Sequence, residues 1–341
     1  MQFGIALDLG PAALPLGEHL RQIRPVLKKA EKYGLDSVWV GENYAQGPGA
    51  ATAFHGPSAL MVLAALSGET SLGLGSGVVL LRAYDTLRLA YDVALLDSLS
   101  EGRLTVGIGL GPGFLASRFG QPAGPGEVFD ERLEALLTLL RGGDGYEGKH
   151  VSVQGGIFPL AHRGRVPPLL IGGGVRASLE RAVRFGQGWY ASSAYSFERI
   201  RRLAGEYRAE LARREGGPAR VAVNRLTVLK RDGECAREAG ARYAGGIVAA
   251  YAAVGSLDDR GTPIPPGETD VAAALGQRSI IGDAETAVRS VQEYARVGVT
   301  DVQFRIAPVG MPVEDTLETL DVLGDVVIPR LRAAANANPG S

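Results

Sequence analysis

The residues whose types and spacing could do chemistry gather at glycine-rich junctions and in one polar loop. Gly172, Gly173 and Gly174 stand between an apolar run, Pro168-Leu-Leu-Ile171, and a helical pattern from Ala177 to Phe185. Glycines at such a junction leave backbone N–H groups free at the positive end of a helix dipole, where a phosphate is readily held. Arg176 would add a cation. The same glycines also suit a plain tight turn. A second junction is Leu72-Gly-Leu-Gly-Ser-Gly-Val-Val-Leu80, a buried strand whose end, Ser76, Gly77 and Val78, has room for a ligand against the backbone. Gly109, at the exit of the next apolar run, is similar. The polar loop is 41–56, with Glu42, Asn43 and His55. Asn43 can donate and accept hydrogen bonds but cannot titrate near neutrality, so proton transfer falls to its neighbours. Glu42 is the adjacent carboxylate and His55 the nearest histidine, although a lone loop histidine reads first as a solvated or packing residue.

These junctions follow strands. Phe3 to Leu7, Ser37 to Val40, Leu72 to Leu80, Leu104 to Ile108, Pro168 to Ile171, Gly188 to Ser192, Val221 to Leu229 and Val302 to Ile306 are apolar runs of strand length, with helical patterns between them. In the helix from about Asp85 to Leu99, the spacing predicts a buried face of Leu87, Tyr91, Ala94, Leu95 and Leu99. Eight such alternations predict an α/β fold, a (β/α)8 TIM barrel, which gathers every post-strand loop on one face. The rival, a doubly wound open sheet, lacks a Gly-x-Gly-x-x-Gly opening at the first helix. One domain is expected over 1–334, with insertions near 111–126, 142–166 and 255–280 and a disordered tail at 335–341. The proline-bearing stretch 255–277 reads equally as a lid over the site or a surface excursion.

Composition narrows the function. With 36 basic and 37 acidic residues, nothing marks a footprint for nucleic acid or an anionic membrane. A small-molecule substrate is expected. Cys235 stands alone in a helix-start sequence. His19, His150 and His162 lack metal-ligand spacing, so no metal site is expected. The opening residues have no basic n-region, and no apolar run is long enough to span a bilayer, so a cytoplasmic location is expected. No Gly-x-Ser-x-Gly, P-loop, His-Glu-x-x-His or Cys-x-x-Cys pattern occurs.

Leu72-Gly-Leu-Gly-Ser-Gly-Val78, Leu96-Asp-Ser-Leu-Ser100, Gly102-Arg-Leu104 and Gly107-Ile-Gly-Leu-Gly111 together resemble the bacterial-luciferase-like family of flavin- and deazaflavin-dependent oxidoreductases. Ala30 to Glu42, Pro167 to Gly174 with Arg181 to Trp189, Ile281 to Thr286 and Tyr294 to Asp301 extend the resemblance over most of the chain. It implies a flavin or deazaflavin across the barrel mouth, with a non-proline cis peptide at Gly77–Val78 beneath the ring. This chain departs from the family in two places. Glu42-Asn43-Tyr44 stands where relatives commonly show Glu-His-His, and Leu110 where some place an arginine for the flavin phosphate. Arg176, Arg82 or Arg305 could compensate, and Arg82 and Arg305 suit a rim or salt-bridge role equally well. The resemblance leaves open an FMN-dependent monooxygenase fed with reduced flavin by a separate reductase, a hydride-transfer enzyme using the deazaflavin coenzyme F-420, and a barrel that binds flavin without turnover. It also implies a homodimer. Trp39 and Phe304 fit either the core or a wall of the ring pocket.

Overall fold

The computed structural model describes residues 1–9, 15–44, 56, 58–121, 126–214, 216–257, 263–265, 267–308 and 310–337. In chain order, β1 (Gln2–Leu7) leads to α1 (Leu16–Lys32), β2 (Ser37–Val40) to α2 (Ala59–Leu66), and β3 (Gly73–Leu80) to α3 (Thr86–Leu99). After β4 (Leu104–Gly109) come α4 (Phe114–Arg118), α5 (Gly126–Leu140) and an antiparallel hairpin of β5 (Gly145–Glu147) and β6 (Ser152–Gln154). Then β7 (Leu169–Gly172) leads to α6 (Arg176–Phe185), β8 (Gly188–Ala191) to α7 (Phe197–Arg213), and β9 (Val221–Leu229) to α8 (Gly233–Ala253) and α9 (Val271–Arg278). The chain ends with β10 (Ser279–Gly282), α10 (Ala284–Arg296), β11 (Asp301–Ala307), α11 (Val313–Val322) and α12 (Ile328–Ala337).

Strands β1, β2, β3, β4, β7, β8, β9 and β11 pair in parallel in that order, and β11 returns to β1. The result is the expected closed eight-stranded barrel inside a ring of helices. β10 is an addition that the sequence pattern does not announce. It pairs with Leu226 to Leu229 of β9, in the lane that β8 leaves after Ala191. The hairpin appears where an extended insertion is expected, and α9 occupies part of 255–277. Residues 258–262 and 266 lie outside the described residues, as do 338–341 of the expected tail; α12 reaches Ala337.

Alternation along each strand sorts its side chains. Phe304 faces outward to the helices and stacks on Phe3, with ring centroids 6.3 Å apart. Trp39 faces inward and shares the barrel interior with Ala6, Leu170, Tyr190, Ala222 and Val78. Glycines make room for it. A Cβ on Gly75 would lie 2.2 Å from the Trp39 ring, and one on Gly77 would lie 2.2 Å from the Tyr190 hydroxyl.

The face predicted for α3 needs correction. Leu89, Ala90, Val93, Ala94 and Leu96 are buried, whereas Tyr91, Leu95 and Leu99 are 37%, 50% and 54% exposed. This helix is apolar on nearly all sides, so period alone could not say which stripe meets the barrel. Among the described residues, no helix is long and apolar enough to cross a membrane.

Candidate active site

The expected site residues follow strand ends, which the barrel turns toward one mouth. β2 ends against β3 so closely that a Cβ on Gly41 would lie 2.6 Å from the Gly77 carbonyl oxygen. The next residue, Glu42, is buried. Its carboxylate accepts from the Ala59 N–H at 2.9 Å, the Leu80 N–H at 3.0 Å and the Tyr84 hydroxyl. Those donors belong to the start of α2, the end of β3 and the turn before α3, so one side chain joins the segments that shape this side of the mouth. Burial pushes the Glu42 carboxyl above the usual range, against the pull of the Tyr84, Leu80 and Ala59 donors. Burial first, and then the Glu42 charge, push the Tyr44 phenol up to about 12. Asn43 is half-buried beside Glu42, and its N–H reaches the Gly56 carbonyl at 3.4 Å. His55 lies outside the described residues.

The Gly77–Val78 peptide is cis, as the resemblance implies. Val78 turns into the barrel, where a Cβ on Gly109 would approach its Cγ2 to 2.9 Å and one on Gly172 its Cγ1 to 3.4 Å. These glycines leave space for Val78. Ser76 is fully buried and donates to the Gly107 carbonyl at 3.0 Å.

At the glycine turn, Gly173 has φ +135° and its carbonyl accepts from the Trp189 indole at 2.8 Å. No side chain caps α6, so its first-turn N–H groups are left to the turn and whatever docks there. Arg176 is not aimed at them. Its side chain is 76% exposed and pairs with Glu180 one turn along, at 2.8 Å. The cation beside the turn is Arg199, in the first turn of α7. It lies over the Tyr195 ring at 4.0 Å, and Nη2 is 2.8 Å from where Gly174 would carry a Cβ. Arg199 was missed because nothing in sequence separates it from the other arginines of a charged helix; its one signal is its place just past the loop after β8.

Of a polar floor beneath the mouth, the sequence singled out Arg305 alone and missed its partners. Arg305 grips Asp8 at 2.6 and 2.7 Å, and its Nη1 donates to Ser193 Oγ at 3.2 Å and Tyr251 Oη at 2.9 Å. Arg305 is therefore an interior residue with a carboxylate partner. Arg82 donates to the Gly111 carbonyl at 2.8 Å and fastens the loop after β4. Below Arg305, Tyr190 donates to Gln303 Oε1 at 2.5 Å and accepts from Asn224 Nδ2 at 3.3 Å. Gln303 Nε2 and Asn224 Oδ1 are buried without partners.

The barrel mouth thus combines apolar surface with an arginine beside an uncapped helix start. This set of surfaces suits a flat heteroaromatic ring with an anionic tail, the shape of a flavin-type cofactor. The comparisons agree with that class. Residues 1–301 match the luciferase-like monooxygenase family, and the chain belongs to it. Its members and relatives are oxidoreductases. The 5,10-methylenetetrahydromethanopterin reductase of Methanopyrus kandleri is 25% identical, over 91% of this chain and 95% of its own. Among solved structures, the FMN-bound oxygenating constituent of 3,6-diketocamphane monooxygenase from Pseudomonas putida superposes with a TM-score of 0.79 at 15% identity, covering 97% of this chain and 99% of that one. The coenzyme F-420-dependent tetrahydromethanopterin reductase of Methanopyrus kandleri does so at 0.72 and 21% identity, with coverage of 97% and 99%.

Proposed function

We propose that the protein is an FMN-dependent monooxygenase acting on a small organic substrate. The observation that carries the cofactor reading is the uncapped start of α6, with Gly173 and Gly174 before it and Arg199 beside it. The turn's N–H groups and Arg199 would hold the phosphate, and Gly77, Val78, Gly109 and Gly172 would lie toward the ring. Reduced flavin, when bound, supplies electrons for oxygen activation, and a separate reductase would deliver it. Asn43, at the end of β2, would orient substrate or hold developing negative charge by hydrogen bonding. Glu42 would hold the loop that carries it. A second reading, hydride transfer with coenzyme F-420, is favoured by the near full-length similarity to a reductase. Titration of the protein with reduced FMN and with coenzyme F-420 separates these readings, and oxygen consumption on addition of substrate then tests the first. Binding of neither cofactor would overturn both.

Arg199→Ala is expected to weaken cofactor binding roughly tenfold and to flatten its salt dependence, because a charge-assisted contact to phosphate is lost. Arg176→Ala should leave both unchanged. The reverse ranking would return the phosphate to Arg176.

A cytoplasmic homodimer belongs to the same reading. Tyr91, Leu95 and Leu99 form an exposed stripe on α3, and the neighbouring Leu160, whose carbonyl accepts from Ser98, widens it. Leu95→Asp should convert a dimer to a monomer in sedimentation experiments. A parent protein that sediments as a monomer at micromolar concentration would remove this part of the proposal.

A further inference from the structure

Three successive carbonyls in the loop between β8 and α7 are held by two buried arginines. Arg225 of β9 donates through Nη1 to the Ser193 carbonyl at 3.4 Å and the Tyr195 carbonyl at 2.8 Å. Arg278, at the end of α9, donates through Nε to the Ala194 carbonyl between them at 2.8 Å. The two arginines are joined, because Arg225 Nη1 also donates to the Arg278 carbonyl at 3.2 Å. Arg278 Nη2 donates to the Leu257 carbonyl at 2.7 Å, which fastens the inserted stretch to the same loop. Neither guanidinium has a carboxylate partner among the described residues. Arg225 is fully enclosed, its Nε and Nη2 have no hydrogen-bond partner, and the Tyr294 ring lies 5.4 Å from its guanidinium carbon. Arg278 is buried and bonds only to carbonyl oxygens and Gln277 Oε1. Burial depresses the pKa of both, and the charges of Arg225 and Arg199 depress that of Arg278 further, so the three guanidiniums lie within electrostatic range of one another. A buried charge without a counter-ion is costly. Arg305, by comparison, has Asp8.

The loop they hold reaches the glycine turn. A Cβ on Gly174 would meet the Tyr195 hydroxyl and would lie 2.8 Å from Arg199 Nη2, and Arg199 lies over the Tyr195 ring. Ser196 then caps α7 by accepting from the Arg199 N–H at 3.2 Å, so the loop leads directly into the helix turn that carries Arg199. We propose that Arg225 and Arg278 are positioning residues that make the glycine turn select a cofactor with an anionic tail. They touch no part of the cofactor. By holding the carbonyls of Ser193, Ala194 and Tyr195 they set the Tyr195 ring and Arg199 beside Gly174. Their own charge, uncompensated and little screened because it is buried, adds to the positive field at the turn. The proposal rests on the flavin or deazaflavin reading above. Both cofactors carry a phosphate, so the arginines favour what the two share and leave their choice to the rest of the mouth.

The test compares whichever of the two cofactors binds with its counterpart lacking the phosphate, riboflavin for FMN or the phosphate-free deazaflavin core for coenzyme F-420. On the parent protein the phosphate-bearing form should bind at least about a hundredfold tighter, as expected of several charge-assisted contacts acting together. On Arg225→Met that ratio should fall about tenfold, the order set by removing one buried charge near an anion. The phosphate-free form should still bind within about twofold of its parental affinity. Arg225→Lys, which keeps the charge and one donor for the Tyr195 carbonyl, should restore most of the ratio. Arg278→Met should lower it as Arg225→Met does. A parental ratio on both methionine variants would overturn the proposal. So would an equal loss of affinity for both ligands, which is what a merely structural role produces. If Arg225→Met fails to fold, the ratio on Arg278→Met decides. Equal affinity of the parent for the two forms would take the phosphate away from the turn and overturn this proposal while leaving the cofactor class in place. Failure of the parent to bind any of these ligands is a different result, and it overturns the functional reading together with this one.

Discussion

Asp8→Ala is expected to lower stability by about 3–5 kcal/mol, the usual consequence of leaving a buried charge without its partner. Arg305 is almost wholly enclosed, and two of its bonds run to the Asp8 carboxylate. The contacts to Ser193 and Tyr251 would remain, but neutral hydroxyls do not offset a guanidinium charge in the interior. For a chain of this length the change corresponds to a fall in melting temperature of roughly 4–7 °C, readable by calorimetry. The companion variant, Asp8→Leu with Arg305→Met, removes both charges and should recover most of the loss. If Asp8→Ala melted within about 2 °C of the parent, Arg305 would have found another partner or water, and the enclosed pair would not organise the floor.

The pair also shows where sequence reading stops. Asp8 follows β1 and Arg305 lies near the end of β11, almost the whole chain apart, and only barrel closure makes these strands neighbours. Asp8 carries no local signal, and Arg305 carries none that names its partner. The barrel itself was legible because each stave is an apolar run followed by a helical pattern, and eight repeats leave few alternatives. β10 was not, since a four-residue Ser-Ile-Ile-Gly run is too short to stand out beside α9. On α3 the pattern predicted a helix correctly and its buried face wrongly, because apolar residues occupy both sides.

The glycine junctions were visible as sites of close approach, although what approaches was not. Gly75 and Gly77 adjoin Trp39 and Tyr190, two side chains of the barrel's own interior, and Gly109 and Gly172 adjoin Val78. Glycine spacing records that something large is near; it cannot say whether that is a ligand or a ring from another strand. Arg176 against Arg199 is the same lesson in charge. Proximity in sequence favoured Arg176, but a helical i,i+4 glutamate draws it outward, while Arg199 arrives from the next helix.

Glu42→Gln separates a catalytic carboxylate from a structural one. One carboxylate oxygen accepts from the Ala59 N–H and the Tyr84 hydroxyl, and the other accepts from the Leu80 N–H. Glutamine keeps the shape but has a single acceptor. Placed toward Ala59, its oxygen leaves the amide NH2 facing the Leu80 N–H; placed toward Leu80, it leaves NH2 facing Ala59. Either way one buried N–H is orphaned, at a cost of about 1–3 kcal/mol, and the melting temperature should fall by roughly 1–4 °C. Tyr84→Phe removes a donor and no acceptor, so it should cost less, and the two changes together should cost less than their sum because they share one contact. Cofactor affinity and turnover should then fall in proportion to the loosened loop and recover at lower temperature. Were Glu42 instead a proton-transferring group, turnover would drop by about 10²-fold or more at every temperature. A parental melting temperature combined with such a loss would overturn the structural assignment and put Glu42 back into the chemistry.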